Sequence, residues 1–243
     1  MKIAVFTDVH GNLEAMRAVA DTIREHGADR VVCLGDLVGY GPNPNECVHL
    51  IHDLADVILA GNHDHAAAGC ISTGRFNEYA RESIVWTQTV LEPETAGLLK
   101  ELPYIQFDEN ITYVHATPEA PDKWLYILSE SDAFRNLMGM TQSICFIGHS
   151  HIPIGFMMNQ SGEMYYQKDL TEAVIEPNKK YLINAGSVGQ PRDGDPRACL
   201  GLLDTEKGFF RLLRLGYDIR ETQKKMKKAG LPEFLIERLE YGR

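Results

Sequence analysis

The chain is 243 residues long and 44% hydrophobic, enough to bury a sizeable core. A formal net charge of −10 opposes a scaffold that grips long nucleic acid through Lys and Arg. Five scattered cysteines without a CxxC pair exclude a zinc ribbon or disulfide framework and point to a reducing cytoplasm.

Ile3 to Phe6 reads as a buried strand that meets Asp8 too soon for a signal segment, and no stretch has the apolar length of a membrane helix. A soluble, cytoplasmic protein is therefore expected. Asn12 is placed to cap a helix whose apolar face carries Leu13, Met16, Val19, Ala20 and Ile23, with a stop near Gly27. The run Val31-Val32-Cys33-Leu34 follows, so the chain opens βαβ with a parallel pair. Gly35-Asp36 ends that strand, where ligands of open α/β sheets collect. After a loop from Leu37, Asn43-Pro44-Asn45-Glu46 has the form of a helix start.

Val57 to Ala60 predicts another short strand, followed directly by Gly61-Asn62-His63-Asp64-His65 and a loop from Ala66 to Thr73. Helical patterning covers 77–91 and 94–102, which either cover a sheet face or form a lid, so residues 66–102 stay open. Beyond Pro103 the period becomes two. Strands are predicted at 104–107, 111–114, 143–147, 155–158, 164–167, 181–183, 198–204 and 209–215. The chain is charged and helical from about 218. One domain over 1–243 is expected, βα-rich first and strand-rich later, with a helical tail.

Five strand ends carry the chemistry: Asp8-x-His10, Gly35-Asp36, Gly61-Asn62-His63-Asp64, His115, and Gly148-His149-Ser150-His151. Singly, each has an ordinary structural explanation, such as a turn acid or a surface imidazole. Together they supply only metal-competent side chains after apolar runs. Residues i and i+2 of an extended chain face the same way, so Asp8 with His10, and His149 with His151, can offer paired ligands. Carboxylate, imidazole and amide oxygen form a mixed N/O shell suited to Mn, Fe, Zn, Ni or Co.

This ordered set, complete over residues 8 to 151, resembles the calcineurin-like metallophosphoesterases. Gly186-Ser187-Val188-Gly189-Gln190-Pro191-Arg192 and the tail through Gly230-Leu231-Pro232 resemble their small bacterial single-domain phosphodiesterase branch. The resemblance implies an α/β fold of two packed, mostly mixed β-sheets flanked by helices in four layers. It also implies two divalent transition metal ions, manganese first among the choices. One would be held by Asp8, His10, Asp36 and His151, the other by Asp36, Asn62, His115 and His149, so that Asp36 bridges. A metal-bridging hydroxide would attack phosphorus while His63 serves the departing oxygen; Asp64 either orients His63 or is a turn acid.

Tyr40, Asn43 and Arg192 are further candidates for substrate contact, each with a plain turn or surface alternative. His65 is not expected to be a ligand. Gly39-x-Gly41 lacks the rest of a dinucleotide fingerprint, and Gly148-x-Ser150-x-Ile152 lacks the closing glycine of a nucleophile elbow. HD-type hydrolases are set aside because their His-Asp pair is helical, whereas this one follows a β-run. The expected activity is a phosphodiesterase on small phosphate esters or nucleotides, with no membrane or long nucleic-acid partner. The alternatives are a phosphomonoesterase or dinucleoside polyphosphate hydrolase, a protein phosphatase, and a non-catalytic interaction module. Oligomeric state is not readable.

Overall fold

The alternation of the first strand divides the molecule into layers. In β1 (Lys2–Phe6), Ile3 and Val5 face one core while Ala4 and Phe6 face another. The computed structural model describes residues 1–243. α1 (Leu13–His26) carries the chain to β2 (Arg30–Cys33), which pairs parallel with β1. Asn12 Oδ1 accepts from the Ala15 amide at 3.2 Å, and Gly27, at φ 62°, ends the helix in the left-handed region. Leu13, Met16, Val19, Ala20 and Ile23 are buried against the sheet, and each of them but Ala20 contributes about 1.5–3 kcal/mol of transfer free energy.

α2 (Pro44–Leu54) leads to β3 (Val57–Ile58), parallel to β2. α3 (Asn62–Ala67), α4 (Glu78–Val90) and α5 (Pro93–Lys100) follow. β4 (Ile105–Phe107) and β5 (Ile111–Val114) form a hairpin, and α6 (Glu130–Gly139) precedes β6 (Ile144–Ile147). The remaining strands are β7 (Ile154–Met158), β8 (Met164–Lys168), β9 (Glu172–Val174), β10 (Lys180–Asn184), β11 (Ala198–Asp204) and β12 (Phe209–Leu215). α7 (Ile219–Ala229) and α8 (Glu233–Tyr241) close the chain.

The strands make two six-stranded sheets, ordered β3-β2-β1-β11-β12-β9 and β4-β5-β6-β10-β7-β8. Both are mixed: β1, β2 and β3 are parallel while β11 runs against β1, and β5, β6 and β10 are parallel while β7 runs against β10. Ile3, Val5, Val32 and Leu34 of the first sheet meet Tyr113, Phe146, Tyr181 and Ile183 of the second in a shared core. Helices cover the outer faces, α1 and α2 on the first sheet and α6 on the second. The expected four layers are present.

Two local readings need correction, and one open choice divides. The stretch after Gly61 is the helix α3, not a strand end followed by a loop from Ala66. His63 and Asp64 therefore are helical, and the ground for setting HD-type hydrolases aside does not hold. The helix α6 and the strand β9 lay outside the predicted elements, although Ser129 and Asp132 form a reciprocal capping box at the start of α6. The 66–102 stretch splits its duties: Ile84 and Leu99 join the core beneath the first sheet, while residues 71–80 wall a surface cleft.

Candidate metal centre

The carboxyl ends of β1, β2, β5 and β6 lie together, and the loops leaving them turn sharply. Asp8, His10, Asp36, His149 and His151 all adopt left-handed backbone, with φ between 51° and 67°. The extended-chain argument for pairing Asp8 with His10 and His149 with His151 is thus incorrect in its geometry. The pairs converge because each ligand sits at a left-handed turn, which Asp and His tolerate better than bulky or branched residues. Two glycines permit the close approach of these loops. A Cβ on Gly61 would lie 2.0 Å from Asp36 Oδ1, and one on Gly148 would lie 2.3 Å from Thr7 Oγ1.

Two ligand groups result. Asp8, His10, Asp36 and His151 converge in one, and Asp36, His115 and His149 in the other, with Asp36 common to both. His151 Nε2 lies 3.2 Å from Asp8 Oδ1, His115 Nε2 lies 3.3 Å from Asp36 Oδ2, and His10 Nε2 lies 3.6 Å from the same oxygen. Asn62, at the start of α3, lines the adjoining cleft with His149, and its Oδ1 is buried without a partner.

Backbone carbonyls fix which ring nitrogens are free. His10 Nδ1 donates to Val38 O at 3.0 Å, His151 Nδ1 to Gln190 O at 2.7 Å, and His115 Nδ1 to Leu34 O at 3.2 Å. His149 reverses the arrangement, donating from Nε2 to Trp124 O at 3.1 Å. A carbonyl only accepts, so in each neutral ring the opposite nitrogen presents a lone pair to the centre. The Nε2 atoms of His10 and His151 face each other at 3.1 Å with no proton between them. Two nitrogens bound side by side to one ion at about 2.0–2.1 Å would stand about 3 Å apart. Asp8 Oδ1 and His115 Nε2 are also buried without hydrogen-bond partners. The residues present therefore fit divalent cations.

The electrostatics agree. Burial, then repulsion from Asp36, pushes the Asp8 carboxyl up to about 7. Burial also opposes charge on Asp36, but His115, His63 and His10 together hold it well below the usual carboxylate range. Burial depresses His115, yet Asp36 and Asp8 outweigh it and raise the imidazole to about 9. Burial alone dominates His10 and His151, both held well below their ordinary value, and His149, lowered to about 3.

The other candidates divide. The His63 ring lies 4.8 Å from that of His10 and 4.5 Å from that of Tyr40, and its Nδ1 has no partner. Arg192 lies over the Tyr40 ring at 5.7 Å and donates to Gln190 Oε1 at 2.8 Å. Asn43 is not brought to the cleft; its amide donates to Glu46 Oε1 at 2.8 Å beside the start of α2. Asp64 has no hydrogen bond to His63. Its oxygens accept from the amides of Leu37 at 2.8 Å, Val38 at 3.1 Å and Gly61 at 2.9 Å, so it ties the loop after β2 to the start of α3. The sequence reasoning missed Thr7, whose hydroxyl donates to Asp8 Oδ2 at 2.9 Å, and Trp124, whose carbonyl holds His149. Backbone carbonyls leave no trace in a sequence, so only the strand-end positions could have pointed there.

The profile of the calcineurin-like phosphoesterase superfamily domain matches residues 1–208, and the chain belongs to that superfamily. MJ0912 of Methanocaldococcus jannaschii is 41% identical over 248 residues, covering 99% of this chain and 98% of that protein. The crystal structure of a metallophosphoesterase from Sphaerobacter thermophilus superposes with a TM-score of 0.86 at 37% identity, covering 100% of this chain and 99% of the other. The phosphodiesterase YfcE of Escherichia coli K12 is 23% identical over 216 residues, 85% of this chain and 89% of its own. No helix is long and apolar enough to cross a membrane.

Proposed function

We propose that the chain is a two-metal phosphodiesterase acting on small phosphate esters or nucleotides. The observation that carries this reading is the sharing of Asp36 by two adjoining ligand groups. Asp8, His10, Asp36 and His151 would hold one ion, and Asp36, Asn62, His115 and His149 the other. Manganese is the first choice for this N/O donor set, which also suits Fe, Zn, Ni or Co. Bound ions would supply positive charge that acidifies water and neutralises the phosphoryl oxygens of an in-line displacement.

The chain's own residues do the rest. The carbonyls of Val38, Leu34, Gln190 and Trp124 orient the four imidazoles before any ligand arrives. Burial lowers His63 to about 4, so at neutral pH it is an uncharged ring that donates an N–H to the departing oxygen. Tyr40 and the Arg192 guanidinium, which lies over its ring, would meet a non-bridging phosphoryl oxygen. Asp64 acts as a positioning residue. The likeness to YfcE supports a diester over a monoester substrate.

The test is metal analysis of the purified protein, then hydrolysis of bis(4-nitrophenyl) phosphate and 4-nitrophenyl phosphate under Mn²⁺, Ni²⁺ and Zn²⁺. Faster diester turnover supports the reading. Monoester preference would assign a phosphomonoesterase, and no turnover with any metal would favour an interaction module.

A further inference from the structure

A deep hollow adjoins the candidate metal centre. It is a cleft of about 600 Å³ that reaches Asn62, His63 and His149 at its inner end. Its two walls come from chain segments with no part in holding metal, residues 71–80 and residues 122–126. Both walls present aromatic rings. Phe76 meets the His63 ring edge-on at 5.0 Å, and Tyr126 stacks on the His149 ring at 4.0 Å with an interplanar angle of 18°. Tyr126 nevertheless keeps 48% of its surface exposed, so an apolar face is left open toward the cleft.

Trp124 stands beside them in a left-handed backbone conformation, at φ 56°. A bulky aromatic residue adopts that region rarely, and here its carbonyl accepts the His149 Nε2 proton. The aromatic wall is thereby fixed to a ligand of the proposed second ion. Polar groups sit at the rim: Ser72, Asn77 and the Arg75 guanidinium.

We propose that this cleft is a nucleoside subsite, in which the base of a nucleotide ester stacks against Phe76, Trp124 and Tyr126 while its phosphorus lies at the His63 and His149 end. The inference rests on the phosphoesterase reading, since a phosphorus at the metal centre is what directs its substituent into this cleft. Volume favours a nucleoside over a small substituent: clefts of 300–1,000 Å³ suit drug-sized ligands, and a methyl or phenyl ester would leave most of this one filled with water. Ring chemistry favours it too, because a base offers a flat π-face to the aromatic walls and polar edges to the side-chain amide of Asn77 and the hydroxyl of Ser72.

The experiment titrates the metal-loaded protein with adenosine 5′-monophosphate, ribose 5-phosphate and inorganic phosphate, read by tryptophan fluorescence and by competition against a chromogenic ester. Adenosine 5′-monophosphate is expected to bind about tenfold or more tighter than ribose 5-phosphate, the increment of one stacked base. Phe76→Ala and Tyr126→Ala should each cut that ratio several-fold. Equal binding of the two phosphates by the unaltered protein overturns the subsite, whether or not the variants fold. If inorganic phosphate competes and the base adds nothing, the nucleoside subsite alone fails. If no phosphate binds and no ester is hydrolysed, the phosphoesterase reading fails with it.

Discussion

Replacing Asp36 by Asn separates metal binding from folding, because only the first responds to metal concentration. Asp36 Oδ1 accepts from the His63 amide at 2.8 Å, and the carbonyl oxygen of Asn can keep that bond. The new amide nitrogen would take the place of Oδ2, 3.3 Å from the orphaned His115 Nε2 and 3.6 Å from His10 Nε2. It can donate to the His10 Nε2 lone pair, but the His115 imidazole, raised to about 9 by Asp36 and Asp8, loses its carboxylate partner. The metal-free variant should therefore melt below the unaltered protein, because one partner of a buried pair is removed. Metal affinity falls as well, since an amide nitrogen is no ligand and both groups lose their shared carboxylate. Loss of an outer partner of a metal ligand already costs about 10–100-fold in affinity, so at least about 100-fold is expected here. At a metal concentration of about 100 Kd, binding stabilises by about 2.7 kcal/mol, which raises Tm by roughly 5–10 °C in a chain of this size. With Kd about 100-fold higher, the same concentration yields about 0.4 kcal/mol, or roughly 1–2 °C. Differential scanning fluorimetry over a Mn²⁺ titration, with a chelated control, reads both numbers. A full Mn²⁺-induced shift in Asp36→Asn would refute the bridging assignment.

Three further outcomes are expected. His63→Ala should keep the metal content of the unaltered protein by atomic emission while kcat falls about 10²–10⁴-fold, most for the poorest leaving groups. Asp64→Asn sets an amide N–H against one of three backbone donors, so denaturant unfolding should show a loss of about 1–3 kcal/mol; an unchanged midpoint would remove its role in joining Leu37 and Val38 to Gly61. His65 is buried, and that burial lowers its pKa below the ordinary 6.5. Below about pH 6.5 the unfolded chain therefore takes a proton that the folded chain refuses, and stability falls with pH by at most about 1.4 kcal/mol per unit. His65→Phe should flatten that part of the stability profile between pH 7 and 5, and an unchanged slope would count against it.

The clustered residues were legible because five apolar runs end in Asp, Asn or His, side chains that can ligate metal, and the fold brings those ends together. The layers were legible from Ile3 to Phe6, whose every side chain is apolar because both faces are buried. The start of α1 was legible because Asn12 caps it by a local bond. What resisted reading depends on contacts distant in sequence. The start of α3 has Gly61 in place of a side-chain cap, and its capping acid, Asp64, spends a carboxylate oxygen on amides 26 and 27 residues earlier. Asn43 has the composition of a cap, but its side chain bonds Glu46 instead of a backbone amide. The α6 capping box was readable in principle at Ser129 and Asp132, with Ala133, Leu137 and Met140 following at helical spacing.

The five left-handed ligands carry the deeper consequence. Residues other than glycine held in that region cost about 1 kcal/mol or more each, so together they approach a sizeable part of the stability of an ordinary domain. The surrounding structure has to over-determine them, and its bonds are visible. The Asp8 amide donates to Gly35 O at 2.9 Å, the His10 amide to Asp36 O at 2.9 Å, and the His149 amide to Asp8 Oδ2 at 3.1 Å. These bonds join the ends of different strands, and Asp8 belongs to three of them counting the Gly189 amide, which donates to its carbonyl at 2.9 Å. The turns are thus built by the sheets, and the lone pairs they aim at one another are imposed before any cation arrives. A cation bound there would relieve repulsion already present in the fold between the facing Nε2 atoms of His10 and His151.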